Sequence, residues 1–155
     1  GKMQHLRHRF KYKGMEKLGN VLGNIAAGQL ADSPIYDNLD AIIPVPLHKS
    51  RLRKRGYNQS ARFAEGIGEK LNVPVIENNL VRVRATETQT HRSRFLRFEN
   101  MQEVFVVLDP DALKNKYVLL VDDVITTGST LESCGAELLK IEGLRLSIAT
   151  IACAE

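Results

Sequence analysis

The sequence predicts an α/β protein: a doubly wound, mostly parallel sheet flanked by helices. Three observations carry this. Short apolar runs ("DAIIPVP", "EVFVVLD", Tyr117 to Val121, "LRLSIATIACA") are interleaved with segments of helical period. Most of these runs are apolar at every position, as expected of strands covered on both faces. The run "VLLV" ends in two acids and a loop of Thr, Gly and Ser, and open α/β sheets bind ligands at the carboxyl ends of their strands.

Taken in order, Met15 to Leu30 places Leu18, Val21, Leu22, Ile25 and Leu30 near helical spacing and predicts a helix, although its glycines disfavour one. "DSPIYDN" reads as a turn, and "DAIIPVP" as a buried strand halted by prolines. After a basic loop, "YNQSARFAEGIGEKLN" sets Ala61, Ala64, Ile67 and Leu71 on one helical face, with Asn58 or Ser60 as its cap and Pro74 beyond its end. "VPVI", "LVRV" and "EVFVVLD" read as strands, and "DPDALKNK" as a turn. A last helix starts at Ser129, with Leu131, Cys134, Leu138 and Ile141 inward. Ser129 and Glu132 have capping-box spacing, Gly143 closes the helix, and a final strand follows.

At 155 residues the chain is expected to be one domain, 1–155, able to bury a core without staples. No apolar run approaches the roughly 20 residues of a membrane span. The basic N-terminus has no apolar segment behind it, so no secretory signal is expected. Cys134 and Cys153 belong to no C-x-x-C pair and read as small buried side chains. Cytoplasmic location and no membrane insertion are the expectation. Three stretches, Lys2 to Lys17, Lys49 to Arg55 and Arg82 to Arg97, hold six, five and five of the 22 Lys and Arg, and such clusters attract phosphates or nucleic acid.

In "VLLVDDVITTGST", Asp122 and Asp123 repel each other and need donors, a cation or solvent to offset that cost. Vicinal sugar hydroxyls are such donors. The following loop opens a helix, whose free amides and dipole favour an anion. Gly128 permits close backbone approach, and Thr126, Thr127, Ser129 and Thr130 add hydroxyls. The segment has no lysine, which disfavours a Walker-type nucleotide site.

This 13-residue string resembles the phosphoribosyl-pyrophosphate (PRPP) signature of type I phosphoribosyltransferases. The resemblance implies that fold, with Asp122 and Asp123 holding the ribose hydroxyls as the catalytic acids. It also implies that Thr126, Thr127, Gly128, Ser129 and Thr130 hold the 5-phosphate, and that Mg²⁺ is the cofactor, reached by Asp122 and Asp123 directly or through water. Pyrophosphate, the leaving group, needs an electropositive site. "PVPLHKSRLRKRGYNQS" supplies Lys49, Arg51, Arg53, Lys54 and Arg55, among which spacing does not choose; His48, Lys49, Ser50, Arg51 and Arg55 are the candidate ligands.

That string, "FKYKG", and "RVRATETQTHRSRFLRFENMQEVF" resemble the narrower ComF family, with Arg82, Arg84, Thr86, Gln89, Arg97, Asn100 and Phe105 at matching positions. Arg84 to Arg97 is the candidate mobile loop, with Arg84, Gln89, Thr90 and Arg92 as its site residues; His91 reads as a bystander rather than a base. Residues 1–39 are left to supply the hood that recognises the acceptor. Many ComF-type proteins carry an N-terminal four-cysteine zinc module; this sequence lacks those cysteines, so the module either lies upstream or is absent from this member.

The family likeness implies transfer of a 5-phosphoribosyl group with release of pyrophosphate, and a link to DNA uptake and competence. The rival readings are a non-catalytic PRPP or nucleotide sensor and a single-stranded-DNA-binding competence factor. Expected partners are PRPP, an acceptor base or amine that the sequence does not name, single-stranded DNA or the uptake machinery, and a second copy of the chain.

Overall fold

A computed structural model describes residues 2–84 and 103–154. Helix α1 spans Lys2–Ala31, and a 3₁₀ turn at Pro34–Tyr36 leads to strand β1, Ala41–Pro44. Helix α2 is Lys49–Arg55 and α3 is Gln59–Leu71. Strands β2, Leu80–Arg84, and β3, Glu103–Val107, precede a 3₁₀ turn at Asp111–Leu113. Strand β4, Tyr117–Ile125, helix α4, Ser129–Leu138, and strand β5, Arg145–Cys153, complete the described chain.

The sheet is parallel in the order β1-β4-β5, with Ile42 beside Leu119 and Leu119 beside Ser147. "VPVI" contributes only a single parallel bridge from Val75 to Ile42, at the outer edge of β1. Alternation between two covered faces explains why β1 and the first part of β4, up to Val121, are apolar. Ile42, Leu119 and Val121 join Ala27, Phe63, Ala64 and Ile67 on one face. Ile43, Val118 and Leu120 join Leu131, Cys134 and Leu138 on the other. Both faces are dry, so polar residues have no place until the strand emerges at Asp122.

Strands β2 and β3 depart from the expected single parallel sheet. They form a separate antiparallel ribbon, with Arg82 opposite Phe105. Its inner residues Leu80 and Phe105 are buried, whereas Val83, Val104 and Val106 are exposed. The "VFVV" run is therefore half-buried despite its continuous apolarity. Asn79 ties the base of the ribbon, donating to Asp109 O at 2.8 Å and accepting from Asp109 N at 2.7 Å.

Helix α1 starts well before the predicted Met15, and its inward face also differs. Leu22 and Leu30 pack inward, but Leu18, Val21 and Ile25 are exposed. Glycines decide the rotation. A Cβ on Gly23 would collide with the Phe63 carbonyl of α3, and one on Gly66 with the Asn20 carbonyl of α1. The two helices thus cross at backbone contact, where dispersion gained by close approach outweighs the lower helix propensity of glycine.

The remaining corrections are local. The basic loop contains helix α2, capped by His48. Asn58 caps α3, accepting from Ser60 N at 3.0 Å and Ala61 N at 3.4 Å, and Asn72 in the left-handed region ends it. The Ser129–Glu132 capping box does not form, because Gly128 occupies the cap position and Ser129 is already helical. That helix ends at Leu138, with Gly143 in the following turn at φ +69°. Cys134 is buried as expected, but Cys153 lies exposed at the end of β5. Among the described residues, no helix is long and apolar enough to cross a membrane.

Candidate functional site

Two segments leave the sheet at one end. Pro44 pairs with Val121, and Val45 N donates to Val121 O at 2.8 Å, so the turn into α2 emerges beside Asp122. The α4 loop leaves β4 directly beyond. This is the carboxyl edge, where a parallel α/β sheet gathers helix N-termini around a ligand.

Because β4 continues to Ile125, its acids alternate across the strand. Asp122 lines a small cavity of about 40 Å³ together with Thr126, Thr127, Gly128, Ser129 and Thr130. Asp123 lines a different cavity of about 170 Å³, walled by Leu18 and Leu22 of α1, Tyr57, and Arg62 of α3. The candidate sugar acid and the candidate phosphate loop are thus brought together at Asp122, while Asp123 opens toward the N-terminal helix.

Asp122 Oδ1 accepts from Ser60 Oγ at 3.0 Å and from the Asp123 amide at 2.8 Å. Asp123 Oδ1 accepts from the Val124 amide at 2.8 Å. Burial pushes the Asp122 carboxyl above its ordinary 3.8; the Asp123 amide and Ser60 oppose the rise, and the neighbouring carboxyl adds to it. Behind Asp122, the Cys134 thiol is pushed up to about 12, first by burial and then by the Asp122 charge, so it stays protonated and unreactive.

The loop could hold an anion. Gly128 sits at φ +81° with open space where a Cβ would stand. Thr127 Oγ1 donates to Ser129 Oγ at 3.1 Å and accepts weakly from Ser129 N at 3.4 Å. The amides of Thr130 and Leu131 lie in the first turn of α4, where a helix has no internal acceptor to offer.

The pyrophosphate candidates are less gathered. His48 Nδ1 serves α2, accepting from Ser50 N at 3.2 Å and lying 2.8 Å from Ser50 Oγ. Arg55 Nη1 donates to Gln59 Oε1 at 2.6 Å. Lys49 borders a cavity of about 610 Å³ between α2, α3 and β2, with Tyr57, Asn58, Arg62 and Arg82. Ser50 and Arg51 are exposed, as are Arg53 and Lys54. Arg84 is exposed at the end of β2; Gln89, Thr90, His91 and Arg92 lie outside the described residues. By sequence alone Ser60 is only a candidate cap; its hydrogen bond to Asp122, 62 positions away, has no local signal.

Among the described residues, no group of three or more His, Cys, Asp or Glu gathers as a metal cage. Mg²⁺ needs none. It takes one or two carboxylates and fills its shell with water and phosphate oxygens, which two adjacent acids, each with one oxygen not held by the protein, can satisfy.

A parallel sheet with an acid pair and a hydroxyl-rich helix entrance at its carboxyl edge is the architecture of type I phosphoribosyltransferases. Solved structures agree in fold. A glutamine PRPP amidotransferase from B. subtilis superposes with TM-score 0.55 at 18% identity, over 90% of this chain and 26% of that one. An adenine phosphoribosyl transferase from Trypanosoma brucei gives 0.53 at 16% identity, over 86% of this chain and 51% of that one. The phosphoribosyl transferase domain model matches residues 57–154. Competence protein F of Haemophilus influenzae is 34% identical over 140 residues, 88% of this chain and 61% of that protein. Competence protein ComFC of Bacillus subtilis is 27% identical over 139 residues, 89% of this chain and 54% of that protein. The chain belongs to the phosphoribosyl transferase family, and within it to the ComF group. It spans less than two thirds of the length of these relatives.

Proposed function

We propose that the chain binds PRPP at the end of β4 and transfers its 5-phosphoribosyl group to a nitrogen acceptor. The observation that carries this reading is the shared cavity of Asp122 and the Thr126–Thr130 loop. A phosphate on the α4 amides and the Thr and Ser hydroxyls sets the sugar across the strand end. Its hydroxyls can then donate to the unclaimed oxygens of Asp122 and Asp123.

In the reaction, the bond from C1 to the pyrophosphate oxygen breaks and pyrophosphate leaves with the electron pair. The lone pair of the acceptor nitrogen forms the new C1–N bond, and the proton of that nitrogen passes to solvent. Positive charge developing on the ribose is stabilised by the two acids, so positioning and electrostatics suffice without a covalent enzyme intermediate. Mg²⁺, held by Asp122 and Asp123 directly or through water, would neutralise charge on the pyrophosphate. The bases of α2 stand at the same edge of the sheet to receive that leaving group.

Calorimetry with PRPP, with and without Mg²⁺, tests the reading. Micromolar binding in the wild type, lost in the Asp122→Asn/Asp123→Asn double variant, supports it; no binding at millimolar PRPP overturns it. A pyrophosphate-release assay across bases and amines then separates an enzyme from a sensor, since tight binding without turnover on any acceptor makes it a sensor.

The names of the relatives favour a role in DNA utilisation. Two are competence proteins, and a DNA utilization protein from Salmonella typhi is 37% identical over 101 residues, 65% of this chain and 44% of that protein. We place the PRPP site in that process, with the exposed bases of α2 available to single-stranded DNA. Salt-dependent single-stranded DNA binding that survives the double Asp substitution would make the nucleic-acid role separate from the PRPP site.

A further inference from the structure

Ser60 holds a position that helix capping does not require. Asn58 already caps α3, and its Nδ2 donates to Val45 O at 3.0 Å, clamping the first turn of α3 to the end of β1. Ser60, two residues on and 4% exposed, is left with a hydroxyl that must find a partner, because an unsatisfied polar group at that depth is costly. It donates to Asp122 Oδ1 at 3.0 Å. Bonds to a charged acceptor are the stronger kind.

The consequence is an asymmetric carboxylate. Oδ1 carries two donors, Ser60 Oγ and the Asp123 amide, whereas among the described residues none reaches Oδ2. With the Asp123 amide alone, the side chain could still swing about its own bonds. A second donor on a different element, fixed through Asn58 to β1, removes that freedom. Asp123 differs in this respect, since its Oδ1 accepts only from the next amide of its own strand.

We propose that Ser60 is a positioning residue for Asp122. It pins Oδ1 so that Oδ2 is the oxygen offered to a sugar hydroxyl beside the phosphate loop. The proposal rests on the PRPP reading for the identity of that hydroxyl, but not for the pinning itself.

Two measurements on Ser60→Ala and Ser60→Thr test it. The first is amide hydrogen exchange in the free protein. The Asp123 amide, which shares the pinned oxygen, is expected to exchange about tenfold faster in Ser60→Ala, as expected when a bond of about 1.4 kcal/mol is weakened. The Val124 amide, held by Asp123, should not change. The second is calorimetry. PRPP affinity should fall about tenfold in Ser60→Ala while inorganic phosphate, read by the loop alone, binds as before. Ser60→Thr keeps the hydroxyl and should recover both. Unchanged exchange at Asp123 overturns the proposal. So does an equal loss of PRPP and phosphate affinity together with a lower melting temperature, which would make Ser60 a packing residue. If the wild type binds no PRPP, the functional reading falls, while exchange at Asp123 still decides whether Ser60 holds the acid.

Discussion

Asp122 and Asp123 each give one carboxylate oxygen to the backbone amide that follows, Asp122 to Asp123 N and Asp123 to Val124 N, both at 2.8 Å. Two like charges on adjacent residues are tolerated because each folds back on its own chain to accept a backbone amide, which offsets part of the repulsion between the neighbouring carboxyls. One oxygen of each stays unclaimed among the described residues, and only Asp122 is tied to a second element.

Single substitutions should separate the acids. Asp122→Asn keeps an acceptor for Ser60 and the Asp123 amide and removes a half-buried charge, so its melting temperature should match or exceed that of the wild type. Its PRPP affinity should fall at least about tenfold, the scale of a charge-assisted hydrogen bond. Calorimetry paired with a thermal melt reads both quantities. A loss of affinity matched by a loss of stability would point to misfolding instead.

Gly128→Ala should cost about 1–2 kcal/mol, since φ +81° crowds a Cβ against the backbone. It should also weaken inorganic phosphate, because the open space above the loop is where an anion approaches. Phosphate titration followed by the amide shifts of Thr130 and Leu131 would show this; unaltered shifts and affinity would detach the loop from anion binding.

Two glycines of α1 should respond in opposite senses. Gly23→Ala drives a methyl into the Phe63 carbonyl and should destabilise by about 1–3 kcal/mol. Gly28 has nothing within 4 Å of its would-be Cβ, so Gly28→Ala should stabilise by about 0.5–1 kcal/mol. In a domain of this size each kcal/mol moves the melting temperature by roughly 2–4 °C. Equal effects at the two sites would contradict the crossing of α1 and α3.

Glu65 supplies a pH signature. Burial raises its carboxyl above the ordinary 4.5, and Glu77 adds to the rise, although both of its oxygens accept from Arg62 Nη1 at 2.5 and 2.6 Å. A carboxyl raised in the folded state binds its proton more tightly there than in the unfolded chain. Its penalty is therefore absent below 4.5 and grows as pH climbs through the folded value. Glu77→Gln should lower that folded value, stabilising the protein at pH 7 but not at pH 4. Thermal melts across that range provide the check, and an equal shift at both ends would exclude the linkage.

Thiol chemistry offers a direct view of the core. Cys134 is buried with its thiol pushed up to about 12, and Cys153 is exposed. A thiol reagent should modify one cysteine per folded chain, Cys153, and two after denaturation. Rapid native labelling of Cys134 would mean that α4 does not pack as described.

Much of this molecule could be read from local pattern. Buried β4, the helical faces of α3 and α4, and the acid-then-hydroxyl order of Asp122 to Thr130 are all carried by residues near one another in the chain, where period and turn chemistry speak plainly. The run "VFVV" was misleading, since apolarity alone does not say whether a strand joins a covered sheet or a half-exposed ribbon.

Partners far apart in the chain settled the rest. Leu18 and Leu22 look alike as residues of one helix, and only the contact of Gly23 with α3 turned the second inward and the first to solvent. Likewise nothing near Asp122 announces Ser60, whose hydroxyl arrives from 62 positions earlier because β1, α3 and β4 converge at the carboxyl edge. Sequence order carries the chemistry of each segment; which oxygen is held and which is left for a ligand depends on contacts that exist only once the chain has folded.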